Sequence, residues 1–434
     1  MSPEIMGVVG LLVLTGLMFL RVPIALCFAL VGAVGTILLS GVTQALYFFR
    51  VVPFAWTNEY SFSVLPMFVL MGLVISASGV AKDLYEAAYN WFGRLPGGLA
   101  VATLVVTAIF SAISGSSVAA ASTIAAVCYP QMRRYGYDKG LASGVIASGA
   151  TMDIMIPPSV PMIIYALAAE VSVGKMFIAG FIPGIVEVLV FSLIIFVMVK
   201  RKPSLAPLAS IKVNFMQKLK GLKSVLPILA IFLVVFGGLY GGVFTPTEAG
   251  AIGVVAAIVV CVMLRRLRAR GFKEALLSTV GMTGTVLAIL IGVMLFNTFV
   301  ALSRLPSTLG EWVIGIGISP ALFLVFVLLL YLVLGAFMEE ISLMLLTIPI
   351  FMPAVRALGV DPIHFGILII LAWQIGMLAP PVGLMVFVTK SVLPDVSTGT
   401  VYRGCLPFLV GLIFVEALVV FAPDVALLPL RWMK

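Results

Sequence analysis

The sequence predicts an all-α polytopic membrane protein, an inverted repeat with two re-entrant helical hairpins and two broken transmembrane helices, and three observations lead there. The 434 residues are 62% hydrophobic and only 10% charged, with a mean hydropathy of +1.25, which excludes a soluble domain. Two stretches deep in apolar sequence, GATMDIMIPPS from Gly149 to Ser159 and GMLAPPVG from Gly376 to Gly383, cannot be unbroken helix. Their paired prolines lack N–H donors and clash with the preceding turn. Finally, six positions recur at one offset of 223: Pro130 with Pro353, Arg133 with Arg356, Gly136 with Gly359, Asp138 with Asp361, Pro157 with Pro380, and Pro158 with Pro381. A proline kink would explain either break alone, but not the matched pair.

The net charge of +9 does not point to nucleic acid, because the basic residues concentrate in short loops. Residues 200–223 hold seven lysines and arginines and residues 265–273 five more, 12 of the 26 in the chain. By the positive-inside rule both loops are cytoplasmic. Cys27, Cys128, Cys261 and Cys405 have no metal spacing and are expected as small packing residues.

Taken in order, residues 5–20 and 22–39 are spans around a turn at Arg21 and Pro23, and no basic lead-in marks the first as a cleaved signal. Residues 43–58, interrupted by Arg50 and Pro53, suit a helix lying in the interface. After a span at 62–78, residues 82–94 read as an amphipathic arm. Residues 99–113 and 118–129 are short for crossing and joined by Ser114, Gly115, Ser116 and Ser117, a re-entrant hairpin whose tip can coordinate a hard cation or simply pack closely. Residues 141–169 form the first broken span, and 176–199 cross back. Residues 225–240 and 249–264 pair between the basic loops, and 274–300 cross outward. A second hairpin, 322–337 and 343–352, and a second broken span, 365–392, precede a last span at 408–421. Counting crossings places the two hairpin mouths on opposite faces and both termini outside.

At each break the first half-helix ends in free carbonyls, which favour a cation, and the second begins with free N–H groups, which favour an anion. Two breaks facing two tips suggest cation sites flanking an anion site near the midplane, as in secondary carriers with inverted repeats. An organic carboxylate driven by a cation gradient is the expected cargo.

GRLPGGLAVAT from Gly93, ISGSSVA from Ile113, IPPS from Ile156, IYALAAEVSVGKMFIAGFIPG from Ile164, TPTEAG from Thr245 and PPVGLMVFV from Pro380 make the chain resemble the large membrane subunit of TRAP (tripartite ATP-independent periplasmic) transporters, the DctM-like family, over nearly its whole length. The resemblance implies an inverted-repeat elevator-type transporter of the bacterial inner membrane, driven by sodium. Its implied partners are a small four-helix membrane subunit and a periplasmic substrate-binding protein. No cofactor beyond the coupling ion is expected, with a proton as the second candidate ion, and no enzymatic role. The family's sodium positions map onto Ser114, Gly115, Ser116, Asp153, Ile156 and Pro158, and onto Gly335, Glu339, Gly376, Ala379 and Val382. The chain departs from the family pattern at Asp153, where a glycine is usual, at Ala379, where a threonine is usual, and at Met385, where an asparagine is usual.

Substrate contacts are expected at Ser116, Ser117, Ser159, Gly383 and Lys390, although Lys390 also suits a residue snorkelling to the surface. Asp153 is the sharpest candidate, since an intramembrane carboxylate costs about 2.5–3.5 kcal/mol on translocon scales. Glu339 and Glu340 mark the second tip, while His364, at a helix start, reads as structural. The division expected is 1–95 scaffold helices and arm, 96–175 first transport repeat, 176–305 scaffold helices and basic loops, 306–395 second transport repeat, and 396–434 a C-terminal scaffold helix. A self-sufficient cation/carboxylate symporter without a binding protein is the alternative. An intramembrane enzyme lacks support, with no serine–histidine pair at depth, no HExxH and no second aspartate near Gly376.

Overall fold

A computed structural model describes residues 2–20, 22–57, 60–207, 215–335, 340–380 and 382–432. The described residues form helices and no strand, as the apolar composition requires of backbone in hydrocarbon. The first half contains α1 (Pro3–Phe19), α2 (Ile24–Ser40), α3 (Val42–Thr57), α4 (Val64–Ala77), α5 (Val80–Phe92), α6 (Gly98–Ser114), α7 (Ser117–Arg134), α8 (Lys139–Ala150), α9 (Val160–Ala168) and α10 (Val173–Arg201). The second contains α11 (Phe215–Tyr240), α12 (Pro246–Met263), α13 (Ala269–Leu302), α14 (Leu305–Gly315), α15 (Pro320–Gly335), α16 (Glu340–Ala357), α17 (Pro362–Leu378), α18 (Leu384–Val392) and α19 (Thr398–Phe421), followed by the short α20 (Asp424–Leu427). Five segments among the described residues are long and apolar enough to span a bilayer: Tyr60–Ala77, α10, α12, α13 and α19.

The 223-residue offset extends far beyond the six sequence positions. Shifted by it, the helix α7 coincides with α16 end to end, α2 with α12 within a residue, and α5, α8, α9 and α10 fall on α14, α17, α18 and α19. Packing is reciprocal as well. The pair α2–α13 is matched by α12–α4, α9 meets α16 and α17, and α18 meets α7 and α8. Such exchange is what a pseudo-two-fold axis between the halves produces.

Several expectations are corrected here. The second arm of the first hairpin does not stop at Tyr129: α7 runs 18 residues through Pro130, and the chain turns at Gly136, whose φ is +76°. Part of each basic loop is helical, because α11 includes Lys218 and Lys223 and α13 begins at Ala269. The helix α14 was not anticipated. The arm α5 buries Val80, Ala81, Leu84, Tyr85, Ala87 and Ala88 on one face and packs on α6 and α11. His364 Nε2 lies 2.8 Å from the Val419 carbonyl and ties α17 to α19, in keeping with a structural role.

Candidate functional site

The first hairpin turns at Gly115, whose φ of +59° is left-handed and disfavours a side chain. Ser116 then caps α7 by accepting from the Ala119 N–H at 3.3 Å. The first break replaces the end of α8 with a 3-10 turn, Thr151–Ile154, and a bent, non-helical passage through the prolines, with a cis bond between Pro157 and Pro158. Ser159 caps α9, accepting from the Met162 N–H at 3.4 Å and donating to the Ile154 carbonyl at 2.7 Å. Its hydroxyl thus closes the break.

Tip and break meet through one strong bond. The Ser117 hydroxyl donates to Asp153 Oδ1 at 2.6 Å, the short distance of a charge-assisted pair. Both residues line a cavity of about 660 Å³ with Gly115, Ser116, Val160 and Pro161 from the first repeat, and with Gly335, Ile341, Trp373, Met377, Val382 and Leu384 from the second. The helix α13 supplies Gly281, Met282, Thr285 and Val286 as the remaining wall. The N-terminal ends of α7, α9, α16 and α18 therefore converge on one space, each presenting partial positive charge to it. Among the described residues no lysine or arginine belongs to this lining, where helix ends and hydroxyls are the anion-favouring groups. The indole Nε1 of Trp373 is buried without a hydrogen-bond partner among the described residues.

Of the expected ion positions, Gly115, Ser116, Asp153, Gly335 and Val382 border this cavity. Ser114 is buried behind the tip, its hydroxyl 3.3 Å from the Ser111 carbonyl. Gly376 and Gly335 are backbone neighbours, a Cβ on Gly376 falling 3.1 Å from the Gly335 carbonyl carbon, so the end of α15 abuts α17 just before the second break. Ala379 ends α17, and Gly383, with φ +52°, starts α18. Ile156 instead lines a separate apolar cavity, with Pro157, against α10 and α11, and Pro158, Ser159, Gly383 and Lys390 are absent from the main lining. Lys390 lies in the last turn of α18. Glu339 and Pro381 lie outside the described residues, as does the side chain of Glu340.

Three residues behind the cavity were missed from sequence. Gln374 Nε2 donates to Thr151 Oγ1 at 3.0 Å and also to Glu187 Oε1 of α10, a residue with no solvent exposure. Thr151 and Gln374 are 223 residues apart, so they are equivalent positions of the two repeats in direct contact, which places them on the pseudo-two-fold axis. The offset alone would have singled them out, and Glu187 was visible as the one acid in a 29-residue apolar helix.

The family profile described as "Tripartite ATP-independent periplasmic transporter, DctM component" matches residues 11–425. The C4-dicarboxylate TRAP transporter large permease protein DctM of Pseudomonas aeruginosa is 34% identical over 383 residues, 88% of each chain. The sialic acid TRAP transporter large permease protein SiaM of Vibrio cholerae is 34% identical over 375 residues, 86% of each. In fold, the chain is similar to the YdaH transporter of Alcanivorax borkumensis, with a TM-score of 0.63 over 90% of both chains at 12% identity.

Proposed function

Since the chain belongs to the DctM component family of tripartite ATP-independent periplasmic transporters, we propose that it carries an organic carboxylate across the inner membrane, coupled to sodium, by an elevator movement. The convergence of four helix N-termini and the Ser117–Asp153 pair on one cavity carries this reading. A carboxylate is favoured by the helix ends, and a cation by Asp153 with the C-terminal carbonyls of the tips and breaks. In place of the division expected from sequence, which gave 176–305 and 396–434 to the scaffold and 306–395 to the second transport repeat, the moving unit proposed comprises α6–α10 and α15–α19, because α10 and α19 pack on the broken helices and obey the same repeat. The scaffold then comprises the remaining long helices, with α13 as the wall past which the cavity slides. Both termini face the periplasm. The small four-helix subunit and a periplasmic binding protein complete the system, and specificity rests with the binding protein.

The test is uptake into vesicles holding this chain with its small subunit, supplied with binding protein and carboxylate. Uptake is expected to require an inward sodium gradient. Equal uptake when sodium is replaced by choline would overturn sodium coupling, and uptake of free substrate without the binding protein would select the self-sufficient symporter.

A further inference from the structure

We infer that Glu187 is a proton-binding site, held as a neutral acid in a cyclic pair with Gln374 on the axis between the two repeats. This goes beyond the carboxylate-transport reading and stands on different residues. Both N–H groups of Gln374 are used, one on Thr151 Oγ1 and one on Glu187 Oε1. The Thr151 hydroxyl is itself committed as a donor to the Ser148 carbonyl at 2.8 Å, so it can only accept from the amide. What remains is a matched pair of orphans: Glu187 Oε2 and Gln374 Oε1 are both buried with no partner among the described residues.

An ionised Glu187 would leave two buried acceptors on this contacting pair with nothing among the described residues to donate to either. A single proton on Oε2 satisfies both, because Oε2–H donates to Oε1 while the amide N–H donates to the carboxyl on the other side. Among the described residues no lysine or arginine forms an ion pair with Glu187. Asp153 is the charged group that acts on Glu187, and it is of the same sign. His364, ten residues back along α17 and so roughly 15 Å away, is engaged with α19. Lys175 and Lys200 lie 12 and 13 residues away along α10. The proton thus joins α10, the first break and α17 in one neutral hydrogen-bonded unit. Asp153 is left as the only carboxylate of this group that can compensate a bound cation.

The experiment is infrared spectroscopy of the full chain in lipid nanodiscs at neutral pH, with melting temperatures of the same samples. Glu416 of α19 also has a buried carboxyl oxygen with no partner among the described residues, so the expected result is a protonated-carboxyl component of the wild type that is lost in Glu187→Gln and kept in both Asp153→Asn and Glu416→Gln. Glu187→Gln, which keeps one donor and one acceptor in the same shape, should melt within ~2 °C of wild type, whereas Glu187→Leu, which strands the amide, should melt ~4 °C or more lower. The exchange Glu187→Gln with Gln374→Glu should restore both the band and the melting temperature. A band unaffected by Glu187→Gln, or one lost in Asp153→Asn or Glu416→Gln instead, would overturn the inference, and so would Glu187→Gln melting as low as Glu187→Leu. None of these readouts involves uptake, so failure here is separable from failure of the transport reading.

Discussion

The Ser117 hydroxyl, at the first residue of α7, donates to Asp153 Oδ1 at 2.6 Å and so joins the tip of the first hairpin to the first break. The bond orients a carboxylate that is only 4% exposed and borders the cavity. Ser117→Ala is expected to weaken sodium activation of uptake by about ten- to a hundredfold, since a hydrogen bond to a charged group is worth about 1.5–3 kcal/mol. Asp153→Asn should abolish the dependence on sodium at this site. Sodium titration of initial uptake rates measures both, and an unchanged half-activating concentration in Asp153→Asn would remove the residue from coupling.

Gly404 of α19 lies tight against Gly140 and Gly144 of α8. A Cβ on Gly404 would fall 2.0 Å from the Gly140 carbonyl oxygen, and one on Gly144 would fall 2.3 Å from the Gly404 carbonyl carbon. Both obstacles are backbone, so neither can rotate away. Gly404→Ala should force the helices apart and destabilise the protein by about 1–3 kcal/mol, whereas Gly399→Ala on the same helix, with open space at the Cβ position, should be silent. Thermal melting in detergent distinguishes them.

The hairpins and breaks were legible because hydrocarbon punishes irregular backbone, so paired prolines and glycine-serine tips inside apolar runs have few structural meanings. Helix ends were less so. Pro130 read as a terminus, yet α7 continues to Arg134, since neighbouring packing tolerates a proline within a helix. The helix α14 was hidden by Pro306, Gly310 and a weak amphipathic pattern, although adding the offset to α5 would have found it. At the site, Asp153 announced itself as a charge in an apolar context. Gln374 did not, because a neutral amide in a long apolar helix carries little signal until its contact with Thr151 is seen. Ser159 was expected to face the substrate, and its hydroxyl is instead spent on capping α9 and closing the break.

Asp395, in the loop between α18 and α19, joins the two repeats at the foot of α7. It accepts from Tyr129 at 3.1 Å and pairs with Lys139 at 3.0 Å. Partial burial pushes its carboxyl upward, but the Lys139 and Tyr129 donors outweigh that and hold it below its ordinary value. A depressed acid contributes stability above its unfolded value, about 3.9, and loses it as pH falls through the folded one. Asp395→Asn should therefore lower the melting temperature slightly at pH 7 and converge with wild type in strong acid. The effect is small because both side chains are over 40% exposed, and such pairs are worth at most about 1 kcal/mol. A gap that persists at pH 2 would show that the ion pair is not its source.

If the cavity moves past α13, then Met282 and Ile341, which line it from the scaffold and from the second hairpin, must separate during transport. The native cysteines are buried, and a background with Cys27, Cys128, Cys261 and Cys405 replaced leaves only engineered thiols to react. Met282→Cys with Ile341→Cys, bridged by a short reversible cross-linker, should stop uptake almost completely and recover on reduction, while each single variant treated alike keeps working. A bridged protein that still transports at the uncross-linked rate would mean that α13 and the second tip travel together. The scaffold boundary would then lie elsewhere.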